Sequence, residues 1–249
     1  MTPTYDEGDN IEEFLRRTRA AVPDADILVV DDQSPDGTAD IADRVGAEIG
    51  NVHVLRRPGK QGLGTAYRAG FGYALAEGYD AVCYLDADLS HDPGALPTLL
   101  ARFAADEADL VVGSRYVPGG SIPSWTWLRR AVSRLGNEYA RFLLGMPVRD
   151  STSGYRVYRA TALAAIDYAT TRADGYAFQI EMAYRIWSVG GRVAESPIAF
   201  TDRVRGTSKM SFRIAGEALV LVTGWAIRDR VLRRGRPAAV PVAPTAGPE

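Results

Sequence analysis

The sequence has few of the features that mark a secreted or nucleic-acid-binding protein. It holds a single cysteine, which excludes a disulfide framework and fits a reducing compartment. That residue, Cys83, lies in the apolar run 81–85, which predicts a buried and inert thiol. Positive and negative charges nearly balance at a formal net charge of −2, so we expect no general attraction to nucleic acid.

Long hydrophobic runs are also missing. The longest late apolar stretch, 218–227, is followed directly by Arg228. A membrane-spanning helix needs about 20 apolar residues, so this stretch is too short to cross a bilayer. The first residues show no signal-peptide pattern. We therefore expect a cytoplasmic chain that does not span a membrane.

Short apolar runs alternate with segments of helical periodicity. The predicted strands are 27–30, 52–55, 81–85 and 110–113. The helices between them are 39–49, 62–77 and 96–103. Farther along, the pattern predicts helices at 128–144, 161–168 and 178–189 and a strand at 193–200. This alternation predicts an α/β fold with a mostly parallel sheet flanked by helices.

The same pattern suggests how the chain is organised. We predict one domain over 1–212, with one functional half at about 1–116 and a second at about 117–212. Residues 213–236 are predicted to form an amphipathic basic helix, and the proline-rich end, 237–249, a disordered tail. Nine basic residues and two acidic ones lie between 203 and 236. This cluster suits either a solvated helix face or an anionic membrane surface.

Two carboxylates, Asp86 and Asp88, follow the predicted strand at 81–85. Ligands of parallel sheets bind beyond the carboxyl ends of the strands. A pair of carboxylates there can hold a hard divalent cation, which in turn binds a diphosphate. The alternative is that the pair caps a helix or closes a turn.

A second acidic segment follows the strand at 27–30. Asp32 can accept hydrogen bonds from a base or a ribose, whereas 36–38 is better explained as a turn and helix cap. The glycine-rich segment 59–67 matches neither a phosphate-binding loop nor a dinucleotide fingerprint. It is better explained by a helix that begins close against the sheet.

Taken together, these motifs resemble the GT-A inverting glycosyltransferases. The shared motifs of the first half are Pro3-Thr4-Tyr5, Glu7, Val30-Asp31-Asp32, the Gly-Leu-Gly-Thr-Ala-Tyr segment at 62–67, and 86–91. Those of the second half are 113–116, 150–156, 176–182 and 202–210. The second set is similar to the polyprenyl-phosphate (dolichol-phosphate) mannose synthases in particular.

The resemblance implies a role for each matching residue. The guanosine of GDP-mannose would be held by Pro3, Tyr5, Glu7, Val30 and Asp32. The divalent cation, Mg²⁺ or Mn²⁺, and the diphosphate would lie at Asp86, Ala87, Asp88 and Ser90, with Asp86, Asp88 and Ser90 as metal ligands. The lipid and donor phosphates would be received by Arg115, Arg129, Ser133, Arg203 and Lys209. The residues expected to act in catalysis are Asp88, Arg115, Arg129 and Arg203.

The implied reaction transfers mannose from GDP-mannose to a polyprenyl phosphate with inversion. An ionised lipid phosphate attacks without first losing a proton, so no strong general base is needed. Two alternatives remain: a related donor such as UDP-glucose, or a non-catalytic nucleotide-binding subunit. The expected location is the cytoplasmic inner face of a membrane, reached by peripheral binding or through a membrane-embedded partner.

The sequence departs from this family at its start. Relatives begin with an apolar strand before Pro-Thr-Tyr, and here only Met1 and Thr2 precede that motif. The first strand is therefore expected to be either shortened or absent.

Overall fold

A computed structural model describes residues 1–202 and the helix at 212–232, with side chains in that helix described at 216 and 218–228. The strands are β1 Thr2–Thr4, β2 Ile27–Asp31, β3 Val52–Arg56, β4 Ala81–Tyr84, β5 Leu110–Ser114, β6 Arg156–Arg159 and β7 Val193–Pro197. The helices are α1 Gly8–Ala21, α2 Thr38–Ile49, α3 Leu63–Ala76, α4 Leu96–Ala105, α5 Trp127–Leu144, α6 Ala160–Ala165, α7 Gly175–Ser188 and α8 Phe212–Leu232. Short 3₁₀ turns occupy Pro93–Ala95 and Tyr168–Thr170.

The strands form two neighbouring sheets. One has the order β1-β2-β3 and is parallel throughout. The other has the order β4-β6-β5-β7, with β5 and β7 parallel. Met1 joins them, because its ammonium group donates to the Cys83 carbonyl and its own carbonyl accepts from the Leu85 amide at 3.4 Å. The predicted α/β architecture is confirmed, and the first strand is present but short.

One strand was missed by the sequence analysis. β6 lies antiparallel between β4 and β5, so the later part of the chain inserts into the sheet that the earlier part begins. Its four residues begin and end with arginine, which is not the apolar pattern expected of a central strand. The division of function near residue 116 stays a prediction, since both sides of it share this sheet.

The glycine-rich start of α3 makes a close contact that was not predicted. A Cβ on Gly64 would lie 2.7 Å from Asp174 Oδ1 and 2.8 Å from the Ala173 carbonyl. The Gly64 amide donates to that Asp174 carboxylate at 3.0 Å. The absence of a side chain therefore lets α3 begin against the start of α7, while Ala66 in its first turn packs on Leu28 and Val30 of β2, as predicted for a helix that begins against the sheet.

The last described helix, α8, packs on α5 and α7. Ala218, Val222 and Ala226 are buried in that contact, while Val220 and Ile227 are exposed on the other side. Apolar residues therefore lie on opposite sides of the described part of this helix, and the amphipathic basic helix expected over 213–236 stays a prediction. The predicted tail at 237–249 lies outside the described residues.

No helix in the described part of the chain is both long enough and apolar enough to cross a membrane.

Candidate active site

The ends of three strands come together at one edge of the fold. β2 ends at Asp31, β4 is followed by 85–91, and β5 ends at Ser114 next to Arg115. β2 lies in one sheet, and β4 and β5 lie in the other. Met1 joins the two sheets at β4, so the three strand ends surround a common region. This is the edge at which the sequence predicted ligand binding.

Asp86 and Asp88 differ in their surroundings. The side chain of Asp86 is 35% exposed, and the Tyr67 hydroxyl donates to its Oδ1 at 3.5 Å. Asp88 is buried, and its Oδ1 accepts from the Ser90 amide at 3.0 Å and from the Ser90 hydroxyl at 2.6 Å. Asp88 is thus held in one orientation, while Asp86 reaches solvent.

These residues fit a divalent cation only if substrate phosphate oxygens or water molecules supply the remaining ligands. Among the described residues no group of three or more His, Cys, Asp or Glu side chains could hold a metal. Asp86 and Asp88 offer the hard oxygen atoms that Mg²⁺ and Mn²⁺ prefer, and Mg²⁺ commonly completes its shell with phosphate oxygens and water. The Ser90 hydroxyl donates a hydrogen bond to Asp88. The role of Ser90 as a metal ligand stays a prediction.

His91 borders this pair, although the sequence analysis gave it no role. Its Nδ1 lies 4.0 Å from Asp86 Oδ2, and its ring packs edge-on against Tyr155 and Phe200. Burial lowers the pKa of His91 to about 4, against an opposing effect of Asp88. The imidazole is therefore neutral at physiological pH.

A buried ion pair fixes the loop beside Asp86. The Arg115 side chain binds Asp150 through Nε at 2.7 Å and Nη2 at 2.6 Å, and the Arg115 amide adds a third bond at 2.8 Å. Arg115 Nη2 also donates to the Thr152 hydroxyl at 2.9 Å. The loop reaches the carboxylate pair, because a Cβ on Gly154 would lie 3.6 Å from Asp86 Oδ2. The predicted phosphate contact of Arg115 stays a prediction, since two nitrogens of its guanidinium already bind protein groups.

Arg156 also binds this loop, and the sequence analysis gave it no role. It is fully buried, and its guanidinium donates to the carbonyls of Ser151 at 2.6 Å, Ser153 at 2.9 Å and Gln179 at 2.7 Å. A buried cation is tolerated only when its donors are satisfied. Here the backbone of the loop provides most of that satisfaction, so Arg156 and the loop stabilise each other.

On the nucleotide side, Asp32 forms a buried ion pair. Arg57 Nη1 lies 2.5 Å from Asp32 Oδ1, and Arg57 Nη2 donates to the Thr65 hydroxyl at 2.6 Å. Burial raises the pKa of the Asp32 carboxyl, and the Arg57 charge acts against this rise. The neighbouring Asp31 accepts from Thr4 and Ser34, so its carboxylate organises the loop. Arg57 was not predicted.

The other residues predicted to bind the nucleoside lie around this pair. Pro3 is in β1, and the Lys60 ammonium lies 3.9 Å from the centre of the Tyr5 ring. The Glu7 carboxylate accepts a hydrogen bond from the side-chain amide of Asn10 at 2.8 Å. The Val30 and Ala87 side chains are buried in the core, so any contact from Val30 would come from its backbone. Lys60 was missed, because an isolated lysine in a glycine-rich segment has no distinguishing pattern.

The predicted acceptor residues are only partly described. The Arg129 guanidinium lies over the Trp125 ring at 4.0 Å and donates to Asp202 at 3.3 Å. Ser133 lies half-buried on α5, where its carbonyl accepts from Asn137 at 3.0 Å. Arg203 and Lys209 lie outside the described residues. Their roles, like those of the other site residues, stay predictions.

Comparison with known proteins agrees with this geometry. The family model described as glycosyl transferase family 2 matches residues 1–167. An undecaprenyl-phosphate mannosyltransferase of Micrococcus luteus is 50% identical over 230 residues, covering 92% of this chain and 94% of the relative. A polyprenol monophosphomannose synthase of Mycolicibacterium smegmatis is 46% identical over 234 residues, covering 94% and 88%.

Solved structures share the fold at low identity. The glucosyl-3-phosphoglycerate synthase of Mycobacterium tuberculosis, in complex with Mn²⁺, UDP and glucosyl-3-phosphoglycerate, superposes with a TM-score of 0.64 and 19% identity, covering 92% of this chain and 77% of that one. The likeness shows that the two chains share the GT-A fold.

Proposed function

The chain belongs to glycosyl transferase family 2, and from this premise we propose that it transfers mannose from GDP-mannose to a polyprenyl phosphate. The observation that supports this most strongly is the Asp86 and Asp88 pair at the end of β4, facing a loop fixed by the buried Arg115 and Asp150. The substrate class is supported by two relatives, at 50% and 46% identity, whose names both specify mannose and a polyprenyl phosphate.

The carboxylate pair would hold Mg²⁺ or Mn²⁺ together with the donor diphosphate. A bound cation stabilises the negative charge that develops on the departing nucleoside diphosphate. Asp88 is suited to this because Ser90 fixes its orientation, and Asp86 because it is open to solvent. The Ser90 oxygen and the Ala87 backbone would complete the wall of this site.

The nucleoside half of the donor would lie beyond the carboxyl ends of β1 and β2. Asp32 would accept from the base, and Pro3, Tyr5, Glu7 and the Val30 backbone would surround it. Arg57 is suited to hold the Asp32 carboxylate ionised and oriented, since it contacts that carboxylate directly. Lys60, lying over Tyr5, adds a positive charge beside the proposed nucleoside site.

The acceptor phosphate would be bound by cations. Arg129, Ser133, Arg203 and Lys209 are the proposed contacts, and Arg115 positions the loop at 150–154. Several cations are needed to bring two anionic substrates together, and arginine matches phosphate oxygens well. Attack by the phosphate oxygen on the anomeric carbon, with loss of GDP from the opposite side, gives a β-linked product from an α-linked donor.

This chemistry needs no general base. Glu181 on α7 is buried and paired with Arg185 at 2.7 Å, and we assign it no role as a base. Orientation of the two substrates and electrostatic stabilisation would provide the rate enhancement. A lipid acceptor would put the reaction at a membrane surface, and we propose that the protein works there by peripheral binding at the cytoplasmic face.

The donor is tested by thermal denaturation with nucleotide sugars. We expect GDP-mannose to raise the melting temperature in the presence of Mg²⁺ or Mn²⁺, because a ligand that binds only the folded state stabilises it. UDP-glucose should give a smaller rise. A larger rise with UDP-glucose would replace the proposed donor, and binding without any turnover would favour a non-catalytic subunit.

Arg57→Gln should weaken donor binding. The variant leaves the buried Asp32 carboxylate without its cation, and we expect the dissociation constant for GDP to rise about tenfold, as for loss of a charged hydrogen bond. The measurement is calorimetric titration with GDP and Mg²⁺. Arg56→Gln is the matched control, since this neighbouring arginine is exposed and bonds Asp40 and Asp43. Equal affinities of the two variants would contradict the role given to Arg57.

Arg203→Ala and Lys209→Ala should impair phosphate binding more than stability. Neither residue belongs to an apolar periodic pattern, so the core should be unaffected by their loss. We expect the KM for the lipid acceptor to rise while the melting temperature changes little. A large fall in melting temperature with normal kinetics would show that both residues are structural.

A further inference from the structure

The outer face of α5 is an exposed apolar surface. The exposed fractions are 82% for Phe142, 79% for Trp127 and 70% for Leu135. Leu128, Val132 and Tyr139 are also exposed. Large apolar side chains that are exposed singly need no explanation, but a contiguous group marks an interaction surface.

These residues share one side of the helix. At about 3.6 residues per turn, one apolar stripe contains Leu128, Val132, Leu135, Tyr139 and Phe142, and Trp127 lies at its edge. The buried residues of α5, Asn137, Ala140 and Leu144, fall on the opposite side. The helix is therefore amphipathic, with a polar buried contact at Asn137 and an apolar face directed away from the protein.

The charges on α5 indicate what could cover this face. The helix holds four arginines and one acidic residue, Glu138, although the whole chain has a formal net charge of −2. Arg130, Arg134 and Arg141 fall between the buried side of the helix and the Trp127 edge of the apolar face. Arg141 pairs with Glu138 at 2.9 Å, and the net charge along this edge is still positive. An apolar stripe bordered by arginines is the pattern of a helix that lies in the surface of an anionic bilayer.

The inner side of α5 touches the candidate active site. Asn137 accepts from the Ser151 hydroxyl at 2.9 Å and donates to the Thr152 hydroxyl at 3.2 Å. Those residues belong to the loop that borders Asp86. One helix diameter, about 10 Å, therefore separates the apolar face from the loop.

We propose that the outer face of α5, made of Trp127, Leu128, Val132, Leu135, Tyr139 and Phe142, docks the protein on an anionic lipid bilayer. The link to a lipid acceptor rests on the proposed function; the docking itself does not. Docking there brings the site within reach of a phosphate at the membrane surface. This surface borders α8, where the Tyr139 and Thr223 hydroxyls lie 2.7 Å apart, and the exposed Val220 and Ile227 of α8 are not assigned to it.

The test is flotation with phosphatidylcholine–phosphatidylglycerol vesicles. Leu135→Ser with Phe142→Ser should lower the partition coefficient on the order of 100-fold, because two large side chains no longer enter the bilayer. Both side chains are exposed, so the melting temperature should stay unchanged. Two controls should bind nearly as wild type: Val189→Ser, an exposed apolar residue after α7, and Val220→Ser with Ile227→Ser on α8.

The charge of the surface is tested separately. Binding of the wild type should weaken in high salt and on vesicles of phosphatidylcholine alone, since screening acts over about 10 Å at 0.1 M salt. The proposal would be overturned if the α8 variant lost vesicle binding while the α5 variant kept it. It would also be overturned by a wild type that does not bind vesicles, or by an α5 variant whose only change is a dimer becoming a monomer.

A second readout separates docking from chemistry. With a long-chain polyprenyl phosphate in vesicles, the α5 variant should show a raised KM. With a short, water-soluble prenyl phosphate, it should match the wild type. If the wild type transfers sugar to neither acceptor, the proposed function fails, and flotation still decides the docking surface.

Discussion

Asp88→Asn should remove nearly all sugar transfer while the protein stays folded. The variant keeps the size of the side chain and one acceptor oxygen, and it loses the charge. Loss of one charged ligand of a metal that stabilises the leaving group should lower kcat/KM on the order of 1,000-fold. The hydrogen bond from Ser90 can still form to the amide oxygen, so the loop should keep its shape.

The effect is measured as initial rates at several Mg²⁺ concentrations, with circular dichroism to confirm the fold. Asp92→Asn is the matched control, because this exposed carboxylate in the same segment only caps a 3₁₀ turn and pairs with Arg17. The control should keep most of the activity. An Asp88→Asn enzyme that transfers sugar at a normal rate with Mg²⁺ present would remove the proposed metal role.

Asp150→Asn should strongly destabilise the fold. Arg115 would remain buried without a counter-charge, and breaking a buried ion pair in this way costs about 3–5 kcal/mol. We expect the free energy of unfolding to fall by about that amount, measured by urea denaturation. Arg192→Gln, which removes an exposed partner of Glu107, should cost less than about 1 kcal/mol. Similar losses in the two variants would show that the Arg115–Asp150 pair contributes no more than a surface pair.

The same pair predicts a pH dependence. Burial alone would raise the pKa of Asp150, but the Arg115 charge and its hydrogen bonds outweigh burial, and the pKa lies below the ordinary value. Unfolding releases the pair, so its stabilisation is present above about pH 4 and is lost as the pH falls through the lowered pKa. The difference in unfolding free energy between the wild type and Asp150→Asn should therefore narrow below pH 4. A constant difference would contradict the assignment.

The strands that end at the site could be predicted because each is a short apolar run followed by acidic or turn residues. Ile27–Asp31 and Ala81–Tyr84 have this pattern, and the structure has strands there. β6 could not be found in the same way. Arg156 looks like a surface residue in the sequence, and its burial is explained only by the three carbonyls that surround it after folding.

The same limit applies to the partners of predicted residues. Asp32 could be singled out because it follows a strand, but Arg57 meets it only when β3 pairs with β2. The helix at 127–144 could be predicted from its periodicity, yet the sequence does not tell which side is buried. In the structure the buried contact includes Asn137, and the larger apolar residues face outward.

The proposed function is tested most directly by one transfer assay. The protein is incubated with GDP-mannose labelled in the sugar, a polyprenyl phosphate and Mg²⁺, and the lipids are then extracted. We predict label in the lipid fraction, dependent on the divalent cation and on the polyprenyl phosphate, and present as a β-linked mannosyl phosphate. Label that stays in the aqueous phase with every cation and acceptor, although GDP-mannose binds, would contradict the proposal.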